Sequence, residues 1–324
     1  MHHAARIFLT ALFALALPVT GAIAQAWPSK PIRWIVPYTA GGMTDNATRM
    51  VLQKVTEQTG WNFVVEYKPG ANSMVGAAEV ARAPADGYTF ITVLGGHASN
   101  ATLHAGKMSF DPVKSFSAVS LVGVSPLIVV ASNTLPAKDM AELIAYARAN
   151  PNKISFGSSG VGAISHLSGE LLKQAAGVAM VHVPYKGFAV QLTDLISGNI
   201  QIVFETPLSV MTHVRGGRIK ALAMLSAKRS SGAPEVPTIV QAGGPSLESS
   251  TPMMFLAPAE TPPEIVNRLS AAVARAVGTT DLAGKLDALG IEPVGNTPRE
   301  ATRFLEDEVV KWGAVIRKAG VKAE

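Results

Sequence analysis

Cysteine is absent from this chain of 324 residues, and both aromatic residues (6%) and charged residues (16%) are scarce. The missing thiols exclude a cysteine nucleophile, a thiolate metal site and a disulfide framework. Lys and Arg are scattered rather than clustered, which argues against nucleic-acid binding although the formal net charge is +5. Such a mild positive excess is better suited to attracting a small anion into a cleft.

Long apolar runs are also absent, except at the N-terminus. His2, His3 and Arg6 precede an apolar stretch over residues 7–19, and Ala22-Ile23-Ala24 follows it. This order predicts a signal peptide over residues 1–24 that is cleaved during export, with the periplasm as the compartment. The alternative is an uncleaved membrane anchor, which the shortness of the apolar stretch disfavours.

Two regions of the chain repeat the same order of strand, glycine-rich turn, helix and strand. In the first region the predicted strands are residues 32–38, 63–66 and 88–94. In the second they are residues 153–156, 180–183 and 200–204. Each region therefore predicts a βαβαβ unit, in which the strands are parallel and the crossovers right-handed.

These two units predict the architecture of the whole chain. An extended apolar stretch at residues 119–131 joins them, so the sequence predicts an α/β fold of two lobes with a cleft between them. The predicted boundaries are residues 27–124 for lobe one, 125–227 for lobe two, and 228–324 for a return to lobe one. In this C-terminal part, Thr261-Pro262-Pro263-Glu264 and Thr297-Pro298-Arg299-Glu300 both predict capping boxes at helix starts.

The candidate site consists of the two strand-to-helix turns, one in each lobe. Ligands of open parallel sheets collect at the carboxyl ends of the strands, where helix N-termini present unpaired N–H groups and a positive partial charge. The glycines of both turns allow a ligand oxygen to approach the backbone closely. Asp45 is a candidate either for the helix cap or for holding a bridging water. Ser158, Ser159 and Ser165 are candidate hydroxyl donors to a carboxylate. For either turn alone, an ordinary helix start is an equally good interpretation.

Enzyme and metal interpretations of the same residues are weaker. Gly160-x-Gly162-x-x-Ser165 lacks the last glycine of a dinucleotide fingerprint, and His182 stands where the ribose-binding acid belongs. Ser158 lies in a turn similar to a nucleophile elbow, but G-x-S-x-G does not fit and no acid completes a triad in the usual chain order. The seven histidines lack metal-site spacing, and His97 is interpreted either as a cleft residue or as an exposed loop histidine.

Several motifs along the chain are specific when taken together. They are Trp27-Pro28-x-Lys30-Pro31-Ile32-Arg33, Val36-Pro37-Tyr38-x-Ala40-Gly41-Gly42-x-x-Asp45, Lys68-Pro69-Gly70-Ala71, Asp86-Gly87-Tyr88-Thr89, Gly157-Ser158-x-Gly160-x-Gly162 and His182-Val183-Pro184-Tyr185-Lys186-Gly187. Pro237-Thr238 and Ala257-Pro258-Ala259-x-Thr261-Pro262 belong to the same set. In this combination the chain resembles the substrate-binding receptors of tripartite tricarboxylate transporters, or Bug family, from Trp27 to nearly the C-terminus.

The resemblance implies a type II-like periplasmic binding protein fold, with two lobes that close on a ligand. It implies a receptor rather than an enzyme, without cofactor or metal, that acts as a monomer. The implied ligand is a small carboxylate (a di- or tricarboxylate or an aromatic acid), and the implied partners are integral membrane subunits of the transporter. A hydrolase or other enzyme on a similar scaffold is the alternative.

The candidate ligand contacts follow from the turns and the resemblance together. In lobe one they are Tyr38, Gly41, Gly42, Met43, Thr44, Asp45 and His97. In lobe two they are Ser158, Ser159, Gly160, Val161, Gly162, Ser165, Tyr185 and Glu205. The sequence departs from the family pattern at Asn72-Ser73, where Gly-Gly is common, at Pro252-Met253-Met254, where a Trp is common, and at Glu205, where a shorter acid or an amide is common. These departures bear on which carboxylate is bound.

Overall fold

The computed structural model describes residues 27–323, so the predicted signal peptide at residues 1–24 lies outside the described residues. Eleven strands and ten helices are formed within this range. No helix of residues 27–323 combines the length and the hydropathy that a membrane span requires.

The elements follow one another in a mixed α/β order. The strands are β1 (Ile32–Val36), β2 (Phe63–Tyr67), β3 (Thr89–Val93), β4 (Phe116–Pro126), β5 (Ile128–Ala131), β6 (Ser155–Ser158), β7 (Val181–Pro184), β8 (Ile202–Glu205), β9 (Lys220–Met224), β10 (Ser250–Pro258) and β11 (Glu292–Pro293). The helices are α1 (Met43–Thr59), α2 (Met74–Ala81), α3 (Gly96–Leu103), α4 (Met140–Ala149), α5 (Ile164–Ala176), α6 (Phe188–Ser197), α7 (Pro207–Arg215), α8 (Pro263–Val277), α9 (Thr280–Ala288) and α10 (Pro298–Ala319).

Lobe one is built on a six-stranded sheet in the order β11-β4-β10-β3-β1-β2. Strand β1 pairs in parallel with β2 and β3, as the first predicted βαβαβ unit requires. On one face Trp34 stacks on Phe90, with 5.4 Å between ring centroids, and meets Phe255 of β10 edge to face at 4.5 Å. This buried aromatic cluster fixes the first unit against the late strand β10.

Lobe two is built on a five-stranded sheet in the order β7-β6-β8-β5-β9. Strand β6 pairs in parallel with β7 and β8, which is the second predicted unit. Phe156 and Phe204 are fully buried, and Leu167 of α5 packs into the same core. Both sheets therefore carry parallel strands whose carboxyl ends lead into helices.

The chain crosses between the sheets at two adjacent places. Strand β4 belongs to the first sheet and β5 to the second, with Leu127 between them. The Leu127 N–H donates to Ser249 O at 3.0 Å, the Leu225 N–H to Leu127 O at 2.8 Å, and the Ser249 N–H to Leu225 O at 3.0 Å. These three bonds tie the outgoing and returning segments together, so the extended stretch predicted at residues 119–131 does join the lobes.

The return to lobe one occurs later than the predicted residue 228. Ala233 and Val236 are buried against Ile128 of β5, and the Ala141 N–H donates to Ala242 O at 3.0 Å. Residues 226–249 therefore remain with lobe two, and the return begins with β10 at Ser250. The Pro-, Gly- and Ser-rich composition of this loop gives no periodic signal that would assign it to either lobe.

One of the two predicted capping boxes is confirmed. The Thr297 hydroxyl accepts from the Glu300 N–H, and the Glu300 carboxylate accepts from the Thr297 N–H at 3.0 Å. The box predicted at Thr261 is wrong, because α8 begins one residue later with Pro262 at its N-cap. Thr261 Oγ1 is left buried without a hydrogen-bond partner.

Candidate functional site

The lobe-one turn (residues 39–42) connects β1 to α1. Gly41 has φ +76°, a left-handed conformation that favours glycine. Asp45 fixes this turn, because its buried carboxylate accepts from the Gly41 N–H at 2.8 Å, from Arg49 Nε at 2.9 Å and from the Tyr67 hydroxyl at 3.0 Å. Asp45 is therefore a positioning residue, and the sequence interpretation of it as the helix cap is wrong, since Gly42 occupies that position.

Helix α1 begins at Met43 with Gly42 as its N-cap and without a side-chain cap. The first N–H groups of a helix have no partner within the helix, and they carry the positive end of its dipole. Because no side chain of Gly42 covers them, these groups are accessible to a ligand oxygen. This arrangement at the start of α1 can bind an anion.

A cavity of about 430 Å³ opens directly beside this helix start. It is lined by residues 37–39, 42–44 and 69–73, so the turn after β2 forms its other wall. Tyr38, Gly42, Met43 and Thr44 of the predicted contacts are brought together here, with Gly41 and Asp45 immediately behind them. The lining contains no ionisable group other than the Tyr38 phenol, whose pKa burial raises to about 12. A ligand in this lobe-one cavity would therefore meet neutral donors.

The lobe-two turn (residues 158–163) connects β6 to α5, which also begins without a side-chain cap. Its polar side chains bond within the turn. Ser158 Oγ accepts from the Gly160 N–H at 3.2 Å, Ser165 Oγ from the Ser159 N–H at 3.1 Å, and His166 Nδ1 from the Gly162 N–H at 3.0 Å. These bonds shape the turn, in which Val161 is partly exposed while Gly162 and the first helical residues, Ile164 and Ser165, are buried.

Two histidines support this turn from behind. Ser158 Oγ lies 2.6 Å from His182 Nε2, and the His182 ring stacks on His166 with 3.6 Å between centroids. Burial lowers the pKa of His166 to about 3 and that of His182 to about 4. Both imidazoles are therefore neutral at pH 7, and they orient the Ser158 hydroxyl without adding charge.

Glu205 ends β8 at the same edge of the lobe-two sheet. Its carboxyl group accepts from Ser159 Oγ at 3.2 Å and from Gln191 Nε2 at 3.4 Å. Burial raises the pKa of Glu205 to about 7. Near neutral pH this group therefore exists in both protonation states beside the turn.

The remaining two candidates lie apart from the turns. His97 is 1% exposed, is hydrogen-bonded to Pro112 O at 2.8 Å and packs against Phe116, so it is not the exposed loop histidine of the second interpretation. Burial lowers its pKa to about 4. Tyr185 follows β7 at the lobe-two edge, where its hydroxyl donates to Asp194 at 2.7 Å.

The two lobes meet through elements that follow their parallel strands. Ser99 Oγ of α3 donates to Gly162 O of the lobe-two turn at 3.4 Å. The carboxyl edges of both sheets thus face the same interlobe region, as expected from the sequence. A larger cavity of about 850 Å³ lies elsewhere on lobe one, between the loop at residues 105–115 and α10, and no residue of either turn lines it.

The second wall of the lobe-one cavity, residues 69–73, is not among the candidate contacts predicted from the sequence. This segment carries the motif Pro69-Gly70-Ala71 and the unusual pair Asn72-Ser73, whereas the predicted lobe-one site included only the strand-to-helix turn after β1. Since β2 neighbours β1 in parallel, the turns after both strands must lie side by side. The predicted parallel order of these two strands was therefore the sequence signal that could have identified residues 69–73 as part of the site.

Comparisons with known proteins identify relatives of this chain in sequence and in fold. A family model described as "Tripartite tricarboxylate transporter family receptor" matches residues 47–321. BugT of Bordetella pertussis is 32% identical over 313 residues, covering 95% of this chain and 94% of BugT. An R. palustris protein solved with adipate is 35% identical with a TM-score of 0.78, covering 91% of this chain and 99% of that one. The periplasmic binding protein BugD is 30% identical with a TM-score of 0.74, covering 92% and 100% of the two chains.

The predicted two-lobed α/β architecture is confirmed by these structures, and the resemblance noted in the motifs is confirmed by the family match. Family membership rests on a match that covers most of the described residues, together with relatives that align over nearly their full length. The chain belongs to the family of tripartite tricarboxylate transporter receptors, together with the Bug proteins.

Proposed function

We propose that this protein is a periplasmic solute-binding receptor that captures a small carboxylate as a monomer. It delivers the carboxylate unchanged to the integral membrane subunits of a tripartite tricarboxylate-type transporter. The observation that carries the proposal is the start of α1, which has no side-chain cap and whose first residues, Met43 and Thr44, line the lobe-one cavity. An anion seated there gains both hydrogen bonds and the helix dipole.

The second lobe supplies a matching helix start. Helix α5 begins at Ile164 without a side-chain cap, behind a turn held by Ser158, Ser165 and His166. Within the described range the chain crosses between the lobes near Leu127 and near Ser249, and such paired crossings are suited to a hinge. Closing about that hinge brings the α5 start over the lobe-one cavity and buries the ligand.

The export part of the proposal rests on the sequence. Residues 1–24 have the order of a cleaved signal peptide, and the rest of the chain lacks cysteine and therefore needs no disulfide formation after export. The adipate bound by the R. palustris relative supports a carboxylate as the class of ligand.

A thermal-shift screen of the purified mature protein tests the ligand class. The panel contains succinate, malate, adipate, terephthalate, citrate and benzoate, with the matching amides succinamide and adipamide as controls. When the ligand is present at about 100 times its Kd, the free energy of unfolding of the receptor rises by about 2.7 kcal/mol. This rise increases the melting temperature by several degrees. We expect such a rise for at least one acid and for neither amide, and a rise with the amides alone would contradict the proposal.

A hydrolase is the second candidate, because Ser158 Oγ and His182 Nε2 are in hydrogen-bond contact. Against it, Ser158 is fully buried, and among residues 27–323 no carboxylate is hydrogen-bonded to His182 to complete a triad. Hydrolysis of an ester probe that is lost in Ser158→Ala would favour this candidate over the receptor.

A further inference from the structure

The turn between β2 and α2 has an unusual backbone. Ala71, Asn72 and Ser73 have φ of 46°, 50° and 72°, and within the described range the only other non-glycine residue with positive φ is Asn152. A left-handed conformation is unfavourable for a residue with a Cβ, and glycine would relieve it. Three such residues in succession form part of a wall of the lobe-one cavity.

A dedicated contact holds this backbone in place. Asn72 Nδ2 donates to Asn100 Oδ1 at 3.2 Å, and Asn100 Nδ2 donates back to Asn72 O at 3.0 Å. Gly96 makes room for the pair, because a Cβ at that position would lie 2.5 Å from the Asn72 amide. Helix α3 therefore supports the turn from outside the cavity.

The supported turn places one hydroxyl without a partner at the cavity. Ser73 is 2% exposed, lines the cavity, and its Oγ has no hydrogen bond of normal geometry within the described residues. The Tyr38 phenol, which accepts from the Leu94 N–H at 3.0 Å, lies beside Ser73, but its position gives Ser73 Oγ no hydrogen bond of normal geometry. A buried hydroxyl without a partner is unfavourable unless a ligand supplies one.

We propose that Ser73 is a specificity-determining residue whose hydroxyl donates to a carboxylate oxygen of a small dicarboxylate held in the lobe-one cavity. This inference rests on the proposed function, since the ligand's second carboxylate then lies against the uncapped start of α5 in lobe two. A ligand with an apolar group at Ser73 would leave the hydroxyl unsatisfied and would be rejected.

The test uses variants that separate backbone conformation from hydrogen bonding. Ser73→Gly removes both the hydroxyl and the unfavourable Cβ, so we expect a melting temperature a few degrees higher but weaker binding. Ser73→Ala removes the hydroxyl and keeps the Cβ, so it should weaken binding without the gain in stability. Asn152→Gly is the matched control, because it relieves positive φ in lobe two, outside the lobe-one cavity.

Affinities are measured by isothermal titration with succinate, malate, adipate and terephthalate. Both Ser73 variants should bind the preferred dicarboxylate about tenfold to hundredfold more weakly, as expected for one lost bond to a charged group, while Asn152→Gly binds as the wild type. Wild-type affinity in Ser73→Ala would overturn the inference and leave the proposed function standing. If the wild-type protein binds citrate or benzoate but none of these four acids, the inference is overturned and the proposed function stands. Binding to no acid at all would overturn both.

Discussion

Asp45 and Glu205 place carboxyl groups near the carboxyl edges of the two sheets, but their surroundings differ. Asp45 has a cationic partner in Arg49 at 2.9 Å in addition to its bonds from Gly41 and Tyr67. Glu205 has only neutral donors, namely Ser159, Gln191 and the backbone N–H of Thr206. The first carboxylate is therefore balanced by a cation and stabilises a turn, whereas the second has hydrogen bonds but no cationic partner.

The state of Glu205 predicts how stability depends on pH. Its folded pKa of about 7 lies above the ordinary value of 4.5, so its contribution to folding is fully present below pH 4.5 and is lost as the pH rises through 7. Replacing it by the neutral Glu205→Gln should remove this dependence. We expect the variant to gain up to about 3 kcal/mol relative to the wild type between pH 4.5 and pH 8.

Urea unfolding of both proteins at pH 4.5, 6 and 8 measures this difference. Parallel pH profiles for the wild type and Glu205→Gln would show that Glu205 is charged in the folded protein without cost.

At this scale the sequence predicted residue types better than contacts. The glycines of both turns follow from local rules, because a left-handed turn such as that at Gly41 has a recognisable composition. The contact of Ser158 with His182 and the support of Asn72 by Asn100 join residues 24 and 28 positions apart. No local pattern encodes such contacts, which depend on the order of the strands.

Helices were predicted well where both ends carry a local signal. Helix α1 ends at Gly60 and α5 at Gly177, each in a left-handed C-cap, as the glycines indicated. The predicted start of α8 is one residue too early, because two successive prolines allow the same N-terminal pattern to be placed in two registers.

The two predicted capping boxes provide a matched pair of variants. Thr297→Val removes a hydroxyl that caps α10, so it should lower the free energy of unfolding by about 1 kcal/mol. Thr261→Val removes a buried hydroxyl that has no partner, so stability should stay the same or rise. Urea unfolding midpoints compare the two, and equal losses would contradict the assignment of the caps.

At the scale of the whole molecule, two similar units are combined into one receptor. The chain enters lobe two through Leu127 and leaves it after residue 249, so the lobes are linked by short segments tied together by backbone hydrogen bonds. The sequence predicted this plan from the repeated strand and turn order. The predicted residue for the return to lobe one, 228, was too early. A loop without periodicity can be assigned to a lobe only from contacts such as the hydrogen bond between Ala141 and Ala242.

The central claim is that a small carboxylate binds at the start of α1, and one pair of glycines tests it. Gly42 and Gly278 have φ of −72° and −73°, so neither needs a left-handed conformation, and a Cβ at either would come no closer than 3.2 Å to a backbone oxygen. Gly42 is extended (ψ 171°) and Gly278 is helical (ψ −5°), so the free energy of unfolding of each Val variant is measured beside its affinity. Only Gly42→Val adds a side chain at the lobe-one cavity.

Isothermal titration of the wild type and both variants, with the acid that most raises the wild-type melting temperature, is the most direct measurement. We predict at least a roughly tenfold weaker affinity for Gly42→Val and an unchanged affinity for Gly278→Val. Wild-type affinity in a folded Gly42→Val protein would contradict the account and place the ligand elsewhere.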